Sequence, residues 1–228
     1  MSDKKIYSVA VDGPSGAGKS TISKAVAKEL GILYVDTGAL YRTIGLYTRR
    51  QNVNPKDPVA VVALLPRIHV EMAYADDGLQ HMRLNGEDVT TEIRLPEIGM
   101  YASDVSAIPA VRAFLMDMQR DLAKKHSVIM DGRDIGTVVL PDADVKIFLY
   151  ADAEVRARRR VKELTERGTP RSYEEVLREM EERDYQDTHR EIAPLCLAPD
   201  AIMVDSSDLG FFSVRNLIID MIQGSVGL

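Results

Sequence analysis

Apolar residues fall in short runs, separated by segments with helical spacing. Ile6 to Val11 is one such run, closed by Asp12-Gly13-Pro14, the pattern of a buried strand leaving a sheet. From Ser20 onward, Ile22, Val26, Ala27 and Leu30 recur at helical intervals, and Gly31 stops the helix. Ile32 to Val35 reads as a second strand, and Leu40 to Tyr47 as the start of a second helix. The runs Val128 to Met130, Val145 to Tyr150 and Ala201 to Val204 read as further buried strands. Helical segments separate them, one starting near Pro109. Strands alternating with helices predict an α/β fold whose parallel sheet is covered on both faces.

One stretch breaks this rhythm. Ile68, Val70, Met72 and Tyr74 alternate with other residues, Met82 and Leu84 do so again, and Asp77-Gly78 and Asn85-Gly86 are hairpin-turn signals. Residues 67–92 are therefore expected to form a small antiparallel insertion. Between Arg156 and Arg171 stand seven Arg or Lys against two Glu, followed by an acidic helix from Glu174 to Asp184. Taken alone, that charge pattern reads as a solvated pair of surface helices. No internal repeat or low-complexity segment appears.

Composition narrows the choice of function. At roughly 150 residues per domain, the 228 residues suit one core with a small appendage. With 29 Lys+Arg against 35 Asp+Glu the net charge is −6, the wrong sign for general nucleic-acid or anionic-membrane binding. The longest apolar run, Val59 to Leu65, is far short of the ~20 residues that span a bilayer. The apolar stretch after Lys4-Lys5 ends at Asp12, too early for an export signal. The one cysteine, Cys196, cannot pair within the chain. A cytoplasmic setting is expected.

The strongest chemical signal is Gly13-Pro14-Ser15-Gly16-Ala17-Gly18-Lys19-Ser20-Thr21, whose first eight residues fill every fixed position of the phosphate-binding loop pattern. Glycines let backbone N–H groups converge on phosphate oxygens, and the following helix adds its positive end. Lys19 would reach the terminal phosphates of ATP, and the Ser20 hydroxyl would ligate Mg²⁺. The Asp-x-x-Gly and Asn-Lys-x-Asp motifs of GTPases are absent, and so is the Leu-Ser-Gly-Gly signature of transporter ATPases. A small-molecule kinase needs a second, arginine-rich pocket for an anionic acceptor.

Three segments could supply it. Asp36-Thr37-Gly38-Ala39-Leu40-Tyr41-Arg42 follows the second strand, with Arg42 expected in the first turn of the next helix. Asp131-Gly132-Arg133-Asp134 follows the strand Val128 to Met130, where Asp131 could orient a metal shell. Arg183, Asp187 and Arg190 fall at i, i+4 and i+7, on one helix face. A helix cap with a surface arginine, a tight turn and an ion-pair ladder are the respective structural alternatives.

Taken together, these residues resemble the bacterial cytidylate kinases, one group of nucleoside monophosphate kinases. The resemblance runs through Asp12 to Gly16, Asp36-Thr37-Gly38 with Tyr41-Arg42, and Asp131 to Asp134 with Gly136-Thr137-Val138-Val139. It continues through Pro141-Asp142-Ala143, Glu182-Arg183-Asp184, Asp187, Arg190 and Ala193-Pro194-Leu195. It implies transfer of the γ-phosphoryl group of ATP to CMP or dCMP by a P-loop kinase, a monomer with no nucleic-acid or membrane partner. It implies a core of five parallel strands (residues 1–37, 105–155 and 191–228), a monophosphate-binding region over 38–104 and a short helical lid near 156–171. Arg42, Arg133 and Arg190 would then hold the CMP phosphate. Ser103, Arg112 and Asp134 would read cytosine, and Arg183 with Asp187 would hold the sugar. Lid arginines such as Arg156 and Arg159 would approach ATP, placing Arg159 with Lys19, Arg133 and Arg190 in the catalytic set. Thr37 stands where other members have Ser, and Ser20 where some have Gly. A kinase for another monophosphate such as UMP is the enzyme alternative, and a nucleotide-binding regulator without turnover is the other.

Overall fold

A computed structural model describes residues 6–74 and 80–227. The Asp77-Gly78 turn lies outside the described residues. From its N-terminal end the chain forms β1 (Ser8–Asp12), α1 (Lys19–Leu30), β2 (Leu33–Asp36) and α2 (Thr37–Arg50). After the short α3 (Pro58–Val62) come β3 (Val70–Tyr74), β4 (Gln80–Leu84) and β5 (Glu87–Asp88). Helices α4 (Pro96–Ser106) and α5 (Pro109–Lys125) lead to β6 (Val128–Asp131) and β7 (Val145–Tyr150). The remainder is α6 (Ala153–Glu166), α7 (Tyr173–His189), β8 (Ile202–Asp205) and α8 (Phe211–Val226).

The parallel sheet has five strands in the order β2-β6-β1-β7-β8, the expected α/β arrangement. Two compact units divide the chain: Met1–Ile32 with Ser127–Leu228, and Leu33–His126. In the first unit β1 is central, its Val9, Ala10 and Val11 wholly buried. It pairs in parallel with β6 and β7, Val11 facing Asp131 on one side and Ile147 on the other. These pairings bring the C-terminal ends of β1 and β6 together, where an open α/β sheet binds ligands. β8 is less buried than its apolar sequence suggests. It pairs with β7 at the sheet margin, and Ile202 and Met203 are 43% and 54% exposed.

In the second unit the Asp36 carboxylate accepts from the Ala39 N–H at 3.0 Å, so α2 begins at Thr37 rather than Leu40. Arg42 therefore stands in the second turn of α2, not the first. Leu40 and Ile44 of α2, Ile98 and Val105 of α4, and Val111 and Leu115 of α5 share one buried cluster with Met82 and Leu84. That shared core places α5 in this unit. The insertion forms as expected. β3 and β4 pair antiparallel with Val70 opposite Leu84, and β4 pairs with β5. Asn85 and Gly86 join β4 to β5 with φ of 51° and 87°, the left-handed pair a two-residue turn requires.

Candidate active site

The phosphate loop leaves β1 at Gly13, where φ is 143° and a Cβ would lie 2.0 Å from the Leu149 carbonyl oxygen. Only glycine fits there. Helix α1 starts at Lys19 on a Gly18 N-cap with no capping side chain, so its first N–H groups are available to an anion. Lys19 is buried and donates to the Gly13 and Pro14 carbonyls, both at 2.7 Å. Burial, reinforced by the Arg133 charge, pulls its ammonium well below the ordinary lysine range, while Asp131, Asp12 and Asp187 oppose the shift. Ser20 Oγ donates to Asp131 Oδ2 at 2.6 Å. This pairing of a hydroxyl with a strand-end carboxylate is a set of hard oxygens that suits Mg²⁺. Thr21, like Ser20, is exposed.

The arginines of the same unit are held by carboxylates. Arg133 Nε donates to Asp187 Oδ2 at 2.6 Å. Burial alone would raise the Asp187 carboxyl, but the Arg133 guanidinium beside it, helped by Arg183 and Arg190, holds it below the usual range. Arg190 Nη2 lies 3.2 Å from Asp134 Oδ1, and its Nε donates to the Ala193 carbonyl at 2.5 Å. The helix-face pattern for Arg183, Asp187 and Arg190 thus holds only in part. Arg190 is the C-cap of α7 in extended geometry, outside the helix, and it turns to Asp134 rather than continuing a ladder.

The charge-rich helix also differs from its solvated-face reading. Arg156 is 3% exposed. Its guanidinium donates to the Ala151 carbonyl at 2.7 Å, the Ser15 carbonyl at 2.9 Å and Asp184 Oδ2 at 2.6 Å. It braces the phosphate loop from beneath. Arg159 donates to the Ser206 carbonyl at 2.5 Å, and the Ser206 hydroxyl lies 3.4 Å from the Ala17 carbonyl. Replacing Arg156 with Ala strands the Asp184 carboxylate and empties a buried site, so we expect a loss of about 2–3 kcal/mol. For a chain of this size that is roughly 5–10 °C in Tm. Calorimetry showing an unchanged Tm would remove the brace.

In the second unit Thr37 is buried, and Arg42 and Ser103 are half-buried. Arg112 is buried, donates to the Ser106 carbonyl at 3.3 Å and lies 5.6 Å from the centroid of the Tyr41 ring. That is cation–π range. Two roles in the first unit differ from the sequence expectation, which had Arg156 approach ATP and gave Asp12 no separate role. One is Arg156 as a brace. The other is Asp12, whose carboxylate accepts from the Ile135 and Gly136 N–H groups at 2.8 and 2.7 Å. Main-chain partners leave no mark in the sequence; they are both of those for Asp12 and two of the three for Arg156, so neither role could be found there.

The sequence profile described as cytidylate kinase matches residues 9–224. The chain belongs to the cytidylate kinase family. It is 50% identical over 218 residues to the cytidylate kinase of Caldicellulosiruptor bescii, covering 96% of each chain. It is 47% identical to that of Fervidobacterium nodosum, covering 94% of this chain and 95% of the relative. Among solved structures, an uncharacterized protein from Eubacterium ventriosum superposes with a TM-score of 0.51 at 14% identity, covering 95% of this chain and 98% of that one. That likeness bears on the fold alone. Among the described residues no helix is long and apolar enough to cross a membrane.

Proposed function

We propose that this member of the family transfers the γ-phosphoryl group of ATP to CMP and dCMP, giving ADP and CDP or dCDP. The observation that carries the reading is a contact: Ser20, next to Lys19 on the phosphate loop, donates to Asp131 Oδ2 at 2.6 Å, two residues before Arg133 in the acceptor segment. A cation for the donor phosphates and a cation for the acceptor phosphate thus occupy one neighbourhood. Phosphoryl transfer needs little covalent help from a protein, so the work is alignment and charge stabilisation. The phosphate-loop N–H groups and Lys19 hold the donor. As the family resemblance implies, Arg133, Arg190 and Arg42 bind the acceptor phosphate, and Arg159 joins as charge builds up. Arg183 and Asp187 take the sugar hydroxyls. Ser20 and Asp131 would hold Mg²⁺, which neutralises phosphate charge when bound.

Cytosine presents a donor at N4 and acceptors at N3 and O2, which match an Asp134 carboxylate and the Arg112 guanidinium, and Ser103 completes the proposed base-reading set. Uracil inverts N3 and the position-4 group, so both contacts turn unfavourable. The protein is further read as a cytoplasmic monomer without nucleic-acid partners, supported by its net charge of −6 and one unpaired cysteine. A coupled assay of ADP production with CMP, dCMP, UMP, AMP and GMP tests the whole reading. CMP and dCMP should exceed UMP in kcat/KM by more than about tenfold, as two base-edge contacts require. A faster acceptor outside that pair overturns it.

A further inference from the structure

Asp12 has no part in that scheme, yet its position is demanding. It ends β1 directly before the phosphate loop and is 5% exposed. Both carboxylate oxygens are used, Oδ1 by the Ile135 N–H at 2.8 Å and Oδ2 by the Gly136 N–H at 2.7 Å. These N–H groups open the wide turn Ile135–Val139, where first-turn donors lack partners within the turn. Burial pushes the Asp12 carboxyl up to about 6 against the pull of those two N–H groups. A charge this costly to bury is not explained by packing. The tethered N–H groups directly follow Arg133 and Asp134 in the chain. The same turn packs closely on Asp12: a Cβ on Gly136 would lie 3.4 Å from Asp12 Oδ2 and 3.2 Å from Lys146 Cδ.

We propose that Asp12 is a positioning residue for the acceptor side of the reaction: by clamping the Ile135-Gly136 backbone to the end of β1, it fixes Arg133 and Asp134 relative to Lys19. Although it adjoins the ATP-binding loop, its function is to register the acceptor-binding segment. This inference rests on the reading of Arg133 and Asp134 as acceptor-binding residues.

The test is Asp12→Asn, whose amide oxygen accepts one N–H while its NH₂ opposes the other. Affinity for Mg·ADP, measured by calorimetry, should stay within about threefold of wild type. The kcat/KM for CMP should fall about 10- to 100-fold, the cost of a small misplacement of reacting groups, and the CMP-to-UMP ratio should fall with it. Gly136→Ala presses on the same clamp from the opposite side and should reproduce the pattern. It carries the test should Asp12→Asn fail to fold. Parallel loss of Mg·ADP affinity and CMP efficiency, or CMP kinetics within about twofold of wild type, overturns the proposal. Asp134→Asn serves as the reference. If it leaves CMP kinetics and the ratio unchanged, the acceptor reading and this inference fail together. If it changes them and both clamp variants do not, the inference alone fails.

Discussion

Lys19→Ala lowers turnover by about two to three orders of magnitude, the loss found when one preorganised charge-stabilising donor is removed. The Lys19 ammonium is already desolvated. It rests on the carbonyls of Gly13 and Pro14, and burial biases it against carrying its proton. Bound phosphates reverse that bias, because an anion beside a buried ammonium favours the charged form. The lysine therefore acts most strongly when donor charge is present. Lys19 is the buried first residue of α1. Its removal costs two hydrogen bonds and also lifts a desolvation penalty. These effects oppose one another, so Tm should move by only a few degrees, on the scale of about 1 kcal/mol. Stopped-flow or coupled turnover together with a thermal scan checks both halves. Turnover within about tenfold of wild type contradicts the role.

What could be read from the sequence was chemistry carried by local backbone demands. The glycines of the phosphate loop and the Asn85-Gly86 turn need left-handed or otherwise restricted φ values, and that requirement is written in the residues themselves. The five-strand core was visible because buried parallel strands leave continuous apolar runs. Arg133, Asp134 and Arg190 stood out in the candidate segments, and Arg112 through the resemblance. Their holders became visible only in three dimensions: Tyr41 under Arg112, Asp187 against Arg133, and Asp134 against Arg190.

Arg156 shows why charge runs mislead. In sequence it is one of seven basic residues between Arg156 and Arg171, and periodicity gives no sign that it alone turns inward. Its carboxylate, Asp184, lies 28 residues away, and its other acceptors are main-chain carbonyls. Asp12 is the stronger case, because both of its donors are peptide N–H groups more than 120 residues along the chain. For β8 the error ran the other way. An apolar run was read as buried, but a strand at the sheet margin leaves Ile202 and Met203 half exposed.

Asp134→Asn carries the second large effect, on specificity rather than turnover alone. Under the proposed reading this carboxylate accepts from cytosine N4, and it also holds Arg190 at 3.2 Å. Asparagine keeps one acceptor and gains a donor, so it can pair with cytosine N4 or with uracil O4. The repulsion against uracil at this position disappears. One base contact is worth about 1–3 kcal/mol in discrimination, and a charge-assisted bond to Arg190 becomes a weaker neutral-acceptor one. The two losses add for CMP, so its kcat/KM should fall about 100-fold. UMP loses the hold on Arg190 but gains a contact, so its kcat/KM should fall much less. Arg112 still faces the N3–H of uracil, and discrimination is reduced rather than abolished. The CMP-to-UMP ratio of kcat/KM should therefore drop by about tenfold, the factor that 1.4 kcal/mol represents. A ratio that stays within about twofold of wild type means that Asp134 does not read the base. In that case its contact with Arg190 is its whole function, and cytosine selection rests on Arg112 and its Tyr41 support.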